Sequence, residues 1–241
     1  MWHSRTLWLA GLTMMSLGPL GCVVEDTDDS ALVAEWRVAY VAGGGVVDCE
    51  AAGTPTVRLR ARNIRSGAMY TANFPCQASS GITDVLPVGD YEVELALLDN
   101  FVNPDGTKAG RPVSQITGGP WAVRRHGLTY LERIEFQVQV FEIDWILVRN
   151  VPGQAMRSVM CEEAGATTVE LDTQLGNEAK EKFRWPCADG GGITQAIRVG
   201  NYANQVRLLG AGGAVLSETN VMPMKVVETE RPAISVQFDL R

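Results

Sequence analysis

The chain has 241 residues, 46% of them hydrophobic and 20% charged, with a net charge of −7. That is too apolar for a disordered chain and is enough for one or two cores of ordinary size. Residues 32–140 carry 10 basic and 11 acidic side chains and residues 141–241 carry 10 and 13, so neither half has the basic footprint of a nucleic-acid binder; His3 and His126 are the only histidines, which argues against zinc.

From the N-terminus, Arg5 precedes an uncharged apolar run from Leu7 to Leu20 that ends Gly18-Pro19-Leu20-Gly21-Cys22. The run falls short of the roughly 20 residues that a membrane-spanning helix needs and has the length of a secretory core. With Gly21 directly before Cys22, residues 1–21 resemble a bacterial lipoprotein signal peptide. The resemblance implies cleavage before Cys22 and lipidation of its thiol. Pro19 stands where that family usually has Leu, and the alternative is an ordinary signal peptide that leaves Cys22 as a spare thiol. Residues 22–31 then form an acidic tether with Glu25, Asp26, Asp28 and Asp29, too polar to bury a core. Val23 follows the Cys rather than the Asp that resembles an inner-membrane retention signal. The expectation is a lipid-anchored cell-envelope protein in the outer membrane, with the side it faces left open.

The rest of the chain is written twice. Cys49-Glu-Ala-Ala-Gly, Pro75-Cys76, Gly81-Ile-Thr and Val88-Gly-Asp-Tyr91 return as Cys161-Glu-Glu-Ala-Gly, Pro186-Cys187, Gly192-Ile-Thr and Val199-Gly-Asn-Tyr202, at a shift of 111 or 112 residues. A constant shift over so many positions predicts two copies of one domain, 32–140 and 141–241. Apolar residues alternate with polar ones at Trp36/Val38/Tyr40, Val57/Leu59/Ala61, Tyr91/Val93/Leu95 and Ile134/Phe136/Val138, and likewise in the second copy at Val169/Leu171 and Ile234/Val236/Phe238. Period two with Gly-rich turns between predicts an all-β protein of two tandem antiparallel sandwiches. Asn177–Lys182 is the one stretch with room for a helical turn. Four of the five Cys are shared by the copies, and the duplication selects the pairs Cys49–Cys76 and Cys161–Cys187 from the three connectivities available. Cys22 is the one left over. No linker-like Gly, Pro or Ser run separates the copies, which predicts a stiff end-to-end pair.

The Val-Gly-Asp-Tyr-Glu-Val step at Val88–Val93, repeated at Val199–Tyr202, is similar to the prealbumin-like and carboxypeptidase-regulatory-like (Ig-like) sandwiches. Tandem Cys-stapled copies behind a lipoprotein signal resemble bacterial surface lipoproteins. The resemblance implies a fold and no activity. Asn204 replaces the Val93 equivalent, so that position is expected to be exposed or hydrogen-bonded.

Little catalytic chemistry is written in the chain. His126, in Arg124-Arg125-His126-Gly127, would have to serve any Ser or Cys relay, and no Gly-x-Ser-x-Gly accompanies it. Glu50, Glu162, Glu163, Glu92 and Glu94 could supply a carboxylate pair, and Asp99–Gly106 looks like half a calcium loop with Phe101 at a ligand position. Neither a cofactor nor a metal is called for. The copies disagree most at Arg58, Arg60 and Arg62, which align with Glu170, Asp172 and Gln174, and at Asn100–Gly119, longer than its counterpart Gly210–Ser217. The Arg stripe is the candidate binding surface for an anionic envelope protein or polysaccharide. Trp121 and Trp185 are candidates for sugar stacking or for core. The function expected is a non-enzymatic spacer or binding module joined to the membrane by its lipid; the alternative is a small glycan-acting hydrolase, or an enzyme accessory domain, using a Glu/Asp pair.

Overall fold

The computed structural model describes residues 30–102, 105–150 and 155–240. The signal peptide, Cys22 and the tether as far as residue 29 lie outside the described residues. The first copy contributes nine strands: β1 (Ala31–Tyr40), β2 (Val46–Val47), β3 (Thr56–Asn63), β4 (Met69–Pro75), β5 (Ser80–Ile82), β6 (Gly89–Leu98), β7 (Pro112–Val123), β8 (Leu128–Tyr130) and β9 (Ile134–Val138). The second adds β10 (Glu142–Arg149), β11 (Arg157–Ser158), β12 (Ala166–Leu175), β13 (Glu181–Pro186), β14 (Gly191–Ile193), β15 (Gly200–Gly210), β16 (Val215–Glu218), β17 (Met222–Val226) and β18 (Ala233–Leu240). Asn177–Lys182 contains no helical turn; Gly176 and Asn177 make a tight turn and β13 begins at Glu181.

Each copy is a sandwich of two sheets. One sheet is the antiparallel set β4-β3-β6-β7, matched by β13-β12-β15 with β16 and β17 on its edge. The other is built on β1 or β10 and is mixed, because the last strand of each copy runs parallel to the first: β9 on β1 and β18 on β10. The alternating residues fill two cores, one centred on Trp36, Leu59, Tyr91 and Phe136, the other on Trp145, Leu171, Tyr202 and Phe238.

The duplicated motifs turn out to be fold devices. In Cys-Glu-x-Ala-Gly the Ala52 and Ala164 amides return to Asp48 and Met160, and Gly53 and Gly165 hold the positive φ that closes each turn. The turn carries Cys49 to Cys76 and Cys161 to Cys187, both disulfide-bonded with Cα atoms 5.9 Å apart. Each bridge spans a separation of 27 or 26 residues, worth about 3.5 kcal/mol in the chain-entropy picture. Trp36 and Trp145 donate their indole N–H to the carbonyls of Cys76 and Cys187, at 2.8 and 2.9 Å. Tyr91 and Tyr202 donate their hydroxyls to the carbonyls four residues upstream, Pro87 and Arg198, in the manner of the tyrosine corner of Ig-type sandwiches. The Gly of Gly-Ile-Thr lies under an aromatic ring: a Cβ on Gly81 or Gly192 would approach Phe74 or Trp185 to within 2.5 Å.

Only Gln139, Val140 and Phe141 separate β9 from β10, and all three are buried. The Phe141 amide donates to Thr194 Oγ1 as that of Leu32 does to Thr83 Oγ1, so the second copy starts as the first does. Contacts between the copies gather at this junction. The Ala196 amide donates to the Ala52 carbonyl at 2.9 Å, and the Arg231 guanidinium lies 5.3 Å from the Tyr40 ring centre.

Candidate functional site

Val57, Leu59 and Ala61 point into the first core, which puts Arg58, Arg60 and Arg62 on the outer face of β3. Register with β6 sets Arg60 beside Glu94 and Arg62 beside Glu92. The resulting ion pairs are long: 3.8 Å from Arg58 and 3.7 Å from Arg60, both to Glu94 Oε1, and 3.6 Å from Arg62 to Glu92. One carboxylate therefore serves two guanidiniums, beyond hydrogen-bond distance from either. Arg58 is the deepest, with 17% of its side chain exposed and its Nε buried without an acceptor. Burial first, then the like charge of Arg60, hold its guanidinium below the ordinary arginine range in spite of Glu94.

The Asn100–Gly119 stretch is half strand, since β7 takes everything from Pro112 onward. The described parts of the remaining loop meet at Asp99, whose carboxylate accepts from the Phe101 and Arg111 amides at 2.9 and 2.7 Å and from Arg111 Nε at 2.9 Å. At Asp105, within the Asp99–Gly106 stretch that looks like half a calcium loop, the carboxylate accepts from the Thr107 amide and hydroxyl, which lower its pKa. The folded loop walls a groove of about 400 Å³ over the β3–β4 face, lined by Thr56, Arg58, Asn73, Asn100, Phe101 and Lys108. The two regions where the copies differ thus meet in one place. Arg60 and Arg62 line a neighbouring depression with Met69 and Glu92.

Arg111 is the residue that sequence reasoning missed. It stacks on the Phe101 ring at 3.9 Å and crosses to the second copy, binding Glu178 at 2.8 Å and Glu181 at 2.6 Å. Burial would lower its pKa, but the hydrogen bonds to Glu181 and Asp99 outweigh that and raise it. Arg198 binds the same Glu178, so the groove loop is fixed to the β12–β13 turn by an ion network. A lone Arg beside Pro112 in the longer loop is the sole sequence trace of this clamp.

The matching face of the second copy is built in reverse. Glu170 and Asp172 are buried rather than wet, because long cations from both neighbouring strands lie over them. Glu170 accepts from Lys182 at 3.0 Å, Arg184 at 2.7 Å and Arg207 at 3.3 Å, and Asp172 accepts from Arg207 at 2.7 Å. Burial would raise the Glu170 carboxyl, but the Arg184 and Lys182 hydrogen bonds outweigh it and bring it below the usual value. Asn204, at the Val93 position, is buried and accepts from the Thr173 hydroxyl at 2.6 Å.

The remaining candidates stay apart. Glu163 pairs with Arg149 and Arg157, and Glu50 and Glu162 sit in the exposed Cys turns. His126 is exposed in a turn at φ 53°. Trp121 and Trp185 are half-buried against their cores, Trp185 with its ring centre 6.2 Å from that of Trp145. Among the described residues no group of three or more His, Cys, Asp or Glu could hold a metal ion.

No protein-family profile matches the chain, and no curated protein matches it. Solved structures do. Two candidate adhesins from Bacteroides ovatus are each 9% identical, one at a TM-score of 0.41 with 87% of both chains covered, the other at 0.40 with 97% of this chain and 98% of that one. A leucine-rich repeat protein from Bacteroides thetaiotaomicron is 12% identical at a TM-score of 0.27; 88% of this chain is covered, but it spans only 26% of that protein. Likenesses this loose carry no functional conclusion.

Proposed function

We propose that the protein is a lipid-anchored, extracytoplasmic binding module with no catalytic role, in which two clamped sandwiches hold an anion-binding groove away from the membrane. The observation that carries this reading is the unequal pairing of the two outer faces. Glu170 and Asp172 are ion-paired at 2.6–3.3 Å by Lys182, Arg184 and Arg207, though Asp172 Oδ1 has no hydrogen bond, whereas Arg58 and Arg60 share one carboxylate at 3.7–3.8 Å and Arg58 Nε is buried without an acceptor. A desolvated, under-paired guanidinium beside Lys108, Asn73 and Asn100 suits a carboxylate-bearing ligand, such as an acidic polysaccharide or the acidic face of an envelope protein. The disulfides agree with an oxidising compartment, and the resemblance of residues 1–22 to a lipoprotein signal, with Val23 after the Cys, supports an envelope anchor on the outer-membrane side.

The test is mild cross-linking of the native protein in its membrane, followed by identification of partners for wild type and for the Arg58→Glu, Arg60→Glu, Arg62→Glu triple variant. Loss of the main partner in a variant that still folds supports the reading. An unchanged partner set removes the groove from it. Intact mass of the purified protein checks the anchor, which requires two closed disulfides and an acylated Cys22.

A further inference from the structure

Both copies present the same end of the sandwich toward whatever precedes them in the chain. In the second copy this end is Ile193–Val199, and it is docked. The Ala196 amide bonds to Ala52, Ala196 packs on the first core, and Gln195 lies against Gly53. The equivalent end of the first copy is Ile82–Val88, where Val85 stands in place of Ala196 and is 57% exposed. Here the chain emerges: the Leu86 amide donates to the Ser30 carbonyl, and the Ser30 hydroxyl donates back to Leu86.

The adjoining sheet face differs in the same sense. Val33 of β1 is flanked on one side by Ile82 and on the other by Tyr130, and Leu128 sits one rung from Tyr130 beside Ala31. Directly paired residues share a face, so Ile82, Leu128 and Tyr130, 57%, 48% and 63% exposed, form one apolar patch over the buried Ala31 and Val33. In the second copy the rung reads Ile193, Glu142, Ala233, and Glu142 is ion-paired with Arg231. The first copy has thus kept an apolar surface where the second carries an ion pair. Arg124 and Arg125 precede Leu128 in the turn beside it, Arg124 facing Asp90 at 3.8 Å; Glu35, Asp84 and Glu132 are the other exposed acids at this end.

We propose that the Ile82–Val88 end of the first copy, with Leu128 and Tyr130, rests on the surface of the lipid bilayer that holds the protein's anchor. This inference depends on the lipidation of Cys22 proposed above. The length of chain outside the described residues favours a bilayer over any other occupant. Cys22 precedes Ser30 by eight residues, a reach of about 28 Å at full extension, so an acylated Cys22 keeps Ser30 within that distance of the membrane. A patch of Ile, Val, Leu and one Tyr with arginines nearby has the composition of an interfacial contact.

The two disulfides and the Cys22 thioether occupy every thiol, so a single new Cys can be labelled selectively. Full-length lipidated protein carrying Tyr130→Cys or Val46→Cys, each labelled with an environment-sensitive fluorophore, is bound to phosphatidylcholine vesicles containing spin-labelled lipid. Val46 is exposed at the far end of the same sheet, paired with Ala39. The label at position 130 should be quenched about threefold more than that at 46, as a group seated at the headgroup boundary would be. Adding Ile82→Asp should bring the two together. Equal quenching in an acylated, vesicle-bound protein overturns this inference alone, and so does a difference that survives Ile82→Asp. A mass without acyl chains overturns both it and the anchored reading on which it rests.

Discussion

The outer faces of β3 and β12 occupy the same place in the two copies and solve the same electrostatic problem with opposite signs. On β3 the cations lie in the centre and two glutamates on the neighbouring strand answer them at 3.6–3.8 Å. On β12 the carboxylates lie in the centre and are covered by three longer cations. Length decides the outcome. Lys and Arg reach across a strand spacing and can fold over a short Glu or Asp, while Glu cannot reach over Arg. Acids in the middle make a face closed by short ion pairs of 2.6–3.3 Å. Arginines in the middle make a more open one, paired only at 3.6–3.8 Å. Duplication preserved the core and left this choice free, so the copies teach that the same sandwich can close or open a face by which sign it places centrally.

The comparison can be broken or sharpened experimentally. The largest effect should come where the copies agree. Replacing both Cys by Ser in either copy, Cys49 with Cys76 or Cys161 with Cys187, should cost about 3–4 kcal/mol by denaturant unfolding, equally in the two. Losses that differ by more than about 1 kcal/mol would mean the staples are not equivalent. Next, where the copies differ, Glu170→Gln should destabilise by about 2 kcal/mol, since it removes charge-assisted bonds inside the sealed face. Arg60→Gln on the open face should stay within about 0.5 kcal/mol. Equal costs would remove the distinction between the faces.

The smallest effect concerns acid. The Glu178 carboxyl is held below its ordinary value of 4.5, first by the Arg198 hydrogen bond, and Glu170 is lowered too, its cation partners overcoming burial. A lowered folded pKa means the unfolded chain binds the proton first as pH falls. The stability these groups contribute is therefore full above 4.5 and is lost as pH drops through their folded values. Thermal unfolding followed from about pH 6 to 3 should show this decline, and Arg198→Gln should flatten it. A decline unchanged by Arg198→Gln would assign the acid sensitivity to other carboxyls.

Much of the fold was legible because its signals are local and doubled. Period-two alternation put Val57, Leu59 and Ala61 inside, and the repeated Cys, Gly and Tyr positions marked turns, staples and corners. The parallel closure of β9 on β1 was not legible, since alternation identifies strands and not their direction. The site was legible in part. The Arg58–Arg62 stripe and the following loop were visible as differences between copies, but nothing in the sequence said that they wall one groove. The burial of Glu170 and Asp172 was not legible, because neighbouring side chains rather than the residue itself set a charged group's exposure. Arg111 was invisible for a related reason: its partners Glu178 and Glu181 are far along the chain, and only the packing of one copy on the other brings them near.

The parallel closure has a mechanical consequence. Because β1 and β9 run the same way, as do β10 and β18, the chain enters each copy at one end and leaves at the other. A force drawn between the chain's N-terminal end and a point held beyond β18 would pull these neighbours past each other lengthwise. All their rungs, five in the first copy and eight in the second, then resist together instead of opening one at a time. With three buried residues between the copies there is no slack to take up first. The protein is connected as a strap is, stiff along the line on which it would be tugged.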